Sequence, residues 1–389
     1  MHKGRQPHKE SEGSSITGDI IAGLSELKTS ASDFLDGTSN VVIYGAGNIG
    51  RQLCTFLADR GISVSYFLDR KAQPDSQWNG VPIFHPEDER IPDAGRGQTH
   101  VIIGIFNRDA EVLPIVRALE AKGYHKVTSF PKFHSCFADE FGDMYWLTSR
   151  STYGSAEAEI AEGLSVWADE LSRRLYTAVL KYRLTGDEGV LPRPDMKHQY
   201  FPEDIPKWNT PVRFVDCGAF DGDTAADLLA NFEAVEAVAA FEPNQANFAK
   251  LAAFVRKNLP VLGDVCLWPC AVYSHDGQLR FSSDKGEANR LENSGSELVQ
   301  CVSLDTAIPG FRPTLLKLDV EGAECEALLG ARRLICSNRP GLAVCLYHHP
   351  EHLWQVPLLL QRWQCGYDFY LRSHAFNGFD LVMYGVPKN

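Results

Sequence analysis

The chain has 389 residues, a length that allows two or three domains. Its 44% hydrophobic and 23% charged side chains are those of a globular protein with substantial cores. A formal net charge of -12 speaks against a nucleic-acid partner, which requires a basic face. No apolar run approaches the ~18 residues of a membrane helix. The opening MHKGRQPHKESEGSS has basic residues with no apolar core behind them, so it does not read as a secretory signal. Ten cysteines are scattered, several of them (Cys217, Cys301, Cys345) in strand-like segments. The expectation is reduced, buried thiols in a cytoplasmic protein. Cys266 and Cys270 lack the second pair of a structural zinc site.

Residues 1 to about 15 are polar and read as disordered, and Ile16, Ile20, Leu24 and Leu27 then fall on one face of a short helix. A first domain follows at 38–135. Strand Val41–Tyr44 leads into Gly45, Gly47, Asn48 and Gly50, which complete G-x-G-x-x-G. Ile49, Leu53 and Leu57 line the next helix, and a second strand ends at Asp69. That spacing suits a nucleotide fingerprint in which the acid holds a ribose. A turn serving only the fold is the competing reading. Arg70, directly after Asp69, leaves NADP or a nucleotide sugar open. The stretch Trp78–Pro82 reads as a loop, HVIIGIF as a buried strand, Ala110–Lys122 as a helix and KVTSF as a last short strand.

Residues 136–199 read as a helical connector. Ile160, Leu164, Trp167, Leu171, Leu175 and Ala178 recur at helical spacing over some twenty residues. This is a core-facing or bridging helix, with a homodimer seam or a lid as the alternatives. Tyr200 and Phe201 then introduce the last domain, 200–389, as a ligand cover or as an anchor at the domain joint.

The last domain is organised around FVDCGAFDGDTAADLL, a strand, a glycine turn and a helix. Gly218 and Gly222 let a ligand approach the backbone, and Asp223 and Thr224 open the helix. About twenty residues on, the strand AVAAF ends in Glu242, placed to take the hydroxyls of a nucleoside ribose. Strands and helices then alternate, which implies a parallel sheet. The final pair, DFYLRSH and DLVMYGV, has no helix between its strands and so implies one antiparallel strand at the edge. Ligands of such sheets bind beyond the carboxyl ends of the strands. Those ends carry Gly218–Thr224, Glu242 and Asn244, Ala271, then Asp319, Glu321 and Glu324, then His348, His349 and His352. Glu324, one helical turn past Glu321, reads as a cap or a surface pair. Adjacent histidines on a continuing strand point apart, so at most one of His348 and His349 faces a substrate.

These motifs (FVDCGAFDGDT, AFEPN, VSLD, LLKLDVEGAE, YHHPEHLW and the terminal YLRSHAFNGFDLVMYGVP) resemble FkbM-type methyltransferases over roughly half the chain. The resemblance implies an α/β fold: a Rossmann-like seven-stranded methyltransferase sheet, here preceded by a smaller Rossmann-like domain similar to modules on sugar-modifying enzymes. It implies S-adenosyl-L-methionine as cofactor and methylation of a hydroxyl on a sugar, glycan or secondary metabolite. Gly218, Ala219 and Gly222 would then cradle the methionine end and Glu242 the ribose, with Asn244 and Ala271 near ribose and adenine. Asp319, Glu321, His348 and His349 are the candidates for taking the hydroxyl proton. Asp319, Glu321 and His348 could instead hold a divalent metal. Two other classes stay open: an NAD(P)- or nucleotide-sugar-dependent oxidoreductase working at Gly45–Asp69, and a non-catalytic nucleotide-binding protein.

Overall fold

A computed structural model describes residues 40–206, 210–282, 290–291 and 297–388. The N-terminal tail and the expected helix Ile16–Leu27 lie outside the described residues. The chain divides into two compact units. The first holds residues up to Ala161, Leu175–Arg193 and Ala375–Phe379; the second holds Glu162–Arg174, Pro194–His374 and the chain from Asp380 on. Residues 136–199, read above as one connector, are shared between the two.

The first unit is built on a six-stranded sheet of order β3-β4-β2-β1-β5-β6. Its strands are β1 (Val41–Tyr44), β2 (Val64–Leu68), β3 (Gln77–Trp78), β4 (Val81–Phe84), β5 (His100–Ile103) and β6 (Lys126–Ser129). Every pairing is parallel except β3 with β4. Helix α1 (Asn48–Ala58) follows β1, and α2 (Val112–Ala121) follows β5. Val42, Tyr44, Leu68, Val101, Ile103, Ile115 and Leu119 form one core. The segment expected to be a loop at Trp78–Pro82 is instead a hairpin. Asn79 and Gly80, at φ 48° and 80°, supply the two left-handed positions of the tightest two-residue turn.

The expected single helix from Ile160 to Ala178 is two helices, α3 (Glu157–Leu164) and α4 (Glu170–Thr185). Asp169 starts the second, its carboxylate accepting the Ser172 N–H at 2.8 Å. The intervening Trp167 leaves the helical stripe and pairs with Phe369. Leu171 is correspondingly exposed, while Ile160, Trp167 and Leu175 are buried.

The second unit carries a seven-stranded sheet of order β16-β17-β15-β14-β7-β8-β9. The strands are β7 (Val212–Cys217), β8 (Val235–Phe241), β9 (Asp264–Trp268), β14 (Leu315–Leu318), β15 (Gly341–Cys345), β16 (Tyr367–Ser373) and β17 (Leu381–Pro387). The five consecutive strands from β15 through β14, β7 and β8 to the edge strand β9 are parallel. The one antiparallel strand, β17, is not at the edge as expected. It lies between β15 and β16. The chain places β16 outermost and returns through the last strand to fill the gap beside β15. Helices α5 (Asp223–Asn231), α6 (Gln245–Leu262), α7 (Glu324–Gly330), α8 (Arg332–Asn338) and α9 (His352–Arg362) connect the strands. Phe214, Val238, Leu251, Val255, Leu315, Ala343 and Val382 share a core.

The apolar stretch VCLWPCAV breaks at Pro269-Cys270, since proline cannot donate to a ladder. Its second half, β10 (Ala271–Val272), joins a separate small sheet of order β10-β13-β11-β12 with β11 (Gly277–Ser282), β12 (Arg290–Leu291) and β13 (Glu297–Val302). The cysteines also depart from expectation at one point. Cys336, on α8, and Cys365, just ahead of β16, are joined in a disulfide with Cα atoms 5.4 Å apart, because the packing of helix against strand brings two distant thiols within bonding reach. Among the described residues no helix is long and apolar enough to cross a membrane.

Candidate active site

The glycine turn after β7 owes its residue types to close packing. Gly218 sits at φ +80°, and a Cβ there would lie 1.8 Å from the Asp319 carbonyl oxygen. The loops after β7 and β14 are therefore in backbone contact, which only glycine permits. Gly222, at φ +98°, abuts the Phe254 ring and precedes α5. Between them Phe220 adopts φ +47° and leaves its ring exposed. Its N–H donates to Glu242 Oε2 at 2.9 Å, and Glu242 Oε1 accepts the Asn244 N–H at 2.8 Å. The buried Glu242 carboxylate thus ties the end of β8 to the glycine turn, and burial raises its pKa despite these bonds.

Beneath the turn lies a buried ion pair. Lys317 Nζ is 3.0 Å from Asp216 Oδ1 and donates to the Gly218 carbonyl. Burial pushes the Asp216 carboxyl up to about 6, with the Lys317 ammonium opposing the rise. Lys317 was not singled out from the sequence. A lone lysine in LLKLD looks like any strand charge until β14 pairs with β7 and sets it beside Asp216.

The second half of the site is a cluster of carboxylates and imidazoles beyond β14 and β15. His348 is buried, with Nδ1 2.8 Å from Glu324 Oε1. Its Nε2 lies 3.4 Å from both Asp319 Oδ1 and Glu321 Oε2. Burial disfavours the charged ring, but Glu324, Glu321 and Asp319 outweigh it and push His348 up to about 10. The ring is an imidazolium at neutral pH. Asp319 Oδ2 accepts the Tyr200 hydroxyl at 2.8 Å, so Tyr200 belongs to this cluster.

Glu324, expected as a cap or a surface pair, is fully buried. It also faces His352 Nδ1 at 3.0 Å and accepts the Val320 N–H. Its pKa falls well below the usual carboxylate range, since the pull of His348 and His352 overcomes the cost of burial. The one-turn offset from Glu321 turns it inward because Glu321 takes φ +54° and Gly322 φ +103°, which reverses the chain before α7 begins. His349 packs on Gly322 and lies edge-on to His352.

Residues 216–369, which hold the residues of both halves described above except Tyr200, match the family model described as the methyltransferase FkbM domain. Over this stretch the chain is similar to FkbM methyltransferase domains. The second unit contains all of it. Across 98% of this chain and 100% of the other, the fold superposes on the crystal structure of methyltransferase FkbM from Methylobacillus flagellatus KT with a TM-score of 0.76 at 20% sequence identity. No curated protein matches.

Within the FkbM domain the other expected residues divide. Thr224 is buried and Asp223 exposed at the start of α5, Asp223 Oδ1 accepting the Thr224 N–H. Ala219 is buried beside the turn. Asn244 is committed to capping α6, its Oδ1 accepting the Ala246 and Asn247 N–H groups. Ala271 lies in β10 of the small sheet, paired with Cys301. As a metal set, Asp319, Glu324 and His348 each offer an atom within 4.8 Å of the others. Glu324 occupies Nδ1, however, so a cation at Nε2 would meet Asp319 and Glu321, with Glu324 orienting the ring.

In the first unit Gly45 stands at φ +104°, and a Cβ on Gly50 would lie 1.9 Å from the Gly45 carbonyl oxygen. Asp69 Oδ2 accepts the Ala46 N–H and Oδ1 the Lys71 N–H, both at 2.8 Å. Asn48 is exposed at the first position of α1.

Proposed function

We propose that the FkbM domain is an S-adenosyl-L-methionine-dependent O-methyltransferase acting on a hydroxyl of a sugar, glycan or secondary metabolite. The observation that carries this reading is the pairing of a backbone-anchored acid at a glycine turn with an acid–imidazole cluster one strand away. Glu242 and the turn Gly218–Gly222 would hold the cofactor, with the exposed Phe220 ring beside it. When bound, S-adenosyl-L-methionine supplies an electrophilic methyl group. The chain's contribution is alignment, worth up to about 7–11 kcal/mol, and removal of the hydroxyl proton, worth about 10²–10⁴-fold.

His348 is already charged at neutral pH and cannot accept that proton in the resting cluster. The acceptors are the Asp319 and Glu321 carboxylates, the two acids of the cluster that are not fully buried. Tyr200 holds Asp319 in place, and His348 with Glu324 anchors the group from below. Proton uptake belongs to this coupled set and not to one atom.

A second reading keeps the same transfer and lets Asp319, Glu321 and His348 hold a hard divalent cation, whose chemistry would be to lower the hydroxyl pKa. The convergence of Asp319 Oδ1 and Glu321 Oε2 on His348 Nε2 is the observation behind it, the cation taking the place of the Nε2 proton. Turnover abolished by EDTA and restored by magnesium or manganese supports this version; turnover indifferent to EDTA removes it.

The test of the main reading is calorimetric titration of S-adenosylhomocysteine into the full chain. Binding weakened at least tenfold in Glu242→Gln, with the parental unfolding midpoint retained, supports it. No binding to the parent protein overturns it.

A further inference from the structure

The first unit has features that methyl transfer leaves unused. A cavity of about 150 Å³ opens there, lined by Tyr44, Arg70, His85, Glu87, Leu119 and Lys122. It has room for one ring-sized group, with an apolar wall and convergent polar groups, the usual make-up of a small-molecule site. Its cations are not equivalent. Lys122 is neutralised by Glu87 at 2.7 Å. Arg70 donates from Nε to the Tyr44 hydroxyl at 3.2 Å, and no carboxylate pairs with it among the described residues. The adjacent Asp69 is spent on the Ala46 and Lys71 N–H groups. An uncompensated guanidinium at a cavity mouth suits an anion, since its fork matches phosphate oxygens.

The neighbouring turn supplies an independent observation. The packing of the chain explains Gly45 and Gly50. It does not explain Gly47, which is exposed at φ -78°, a conformation open to any residue, and a Cβ there would meet nothing within 4 Å. Helix capping does not require it either, because serine or aspartate at this position would stabilise α1 by a few tenths of a kcal/mol more. A missing side chain that the fold does not need leaves room for something outside the fold. The turn is also constructed like the one in the FkbM domain. In each, an acid ending the second strand accepts one N–H from the glycine turn and one from the residue two positions after itself: Asp69 from Ala46 and Lys71, Glu242 from Phe220 and Asn244.

We infer that the first unit binds a nucleoside diphosphate or its ester, with the diphosphate against the backbone at Gly47 and Arg70 and the cavity taking the anionic or ring-bearing remainder. The inference is separate from the methyl-transfer reading and stands or falls without it. Nucleotide sugars and dinucleotides share this chemistry, and the arms of the test distinguish them.

The experiment titrates UDP-glucose, GDP-mannose, NAD, NADP, ADP and inorganic pyrophosphate separately into the full chain by calorimetry. The same titrations are run on Arg70→Ser and Gly47→Val. Both substitutions fall on exposed positions, and a Cβ at Gly47 meets nothing within 4 Å, so both proteins should stay folded, with thermal unfolding as the check. The expected result is binding of at least one nucleoside diphosphate compound, weakened tenfold or more in each variant. Preference for a nucleotide sugar over a dinucleotide, or the reverse, names the source and supports the inference. Absence of binding by all six compounds to millimolar concentration, or affinity unchanged in both variants, overturns it.

Discussion

Replacing Glu324 by glutamine keeps the shape of a fully buried side chain and its bond to the Val320 N–H while removing the charge that faces His348 and His352. A histidine held at about 10 in place of 6.5 has a folded state stabilised by about 5 kcal/mol where the ring is charged in both states. Removing one partner of a buried pair costs about 3–5 kcal/mol by general experience, and that range is expected for Glu324→Gln at pH 6. The raised pKa of His348 means this stability is complete below 6.5 and drains away as pH climbs to about 10. The lowered pKa of Glu324 means its share is complete above 4.5 and drains away as pH falls below that. The pair therefore contributes most between about pH 4.5 and 6.5. Urea unfolding of parent and variant at pH 6, 8 and 10, followed by tryptophan fluorescence, measures the difference. The gap between the two proteins should narrow as pH rises. A gap that is the same at pH 6 and pH 10, or a variant as stable as the parent, would refute the charged pair.

Gly218→Ala places a methyl group against the Asp319 carbonyl oxygen at a left-handed φ, and a destabilisation of about 2–6 kcal/mol with loss of S-adenosylhomocysteine binding is expected. A variant within about 1 kcal/mol of the parent in thermal unfolding would show that the two loops are not packed as described. Lys317→Met leaves Asp216 buried without its cation and should cost about 3–5 kcal/mol. Adding Asp216→Asn should recover much of that, and additive losses in the double-mutant cycle would deny the pairing. Tyr200→Phe removes the hydroxyl that donates to Asp319 and should cost about 1–3 kcal/mol while leaving S-adenosylhomocysteine affinity intact; affinity that falls with stability would place Tyr200 at the cofactor instead.

Much of the fold was legible because its signals are local. Apolar runs bounded by glycines set β7, β8, β14 and β15. Each glycine turn is announced by spacing alone, and the acids Asp69 and Glu242 close both turns where the order of elements put them. The misreadings also have local causes. Asn79-Gly80 is a hairpin turn, and Asp169 starts a new helix inside an apolar stripe.

What only the tertiary structure decided is which charges meet. Asp319, Glu321, Glu324 and His348 are visible in the sequence as polar residues beyond strands. Which of them is buried depends on the backbone reversal at Glu321-Gly322 and on β15 lying beside β14. Lys317 becomes the partner of Asp216 through strand pairing across a hundred residues, and Cys336 meets Cys365 by helix-against-strand packing. Periodicity and turn chemistry act over a few residues and are written in the sequence. Ion pairing and protonation depend on burial and on distances between strands remote in the chain, and these are set only once the sheet has formed.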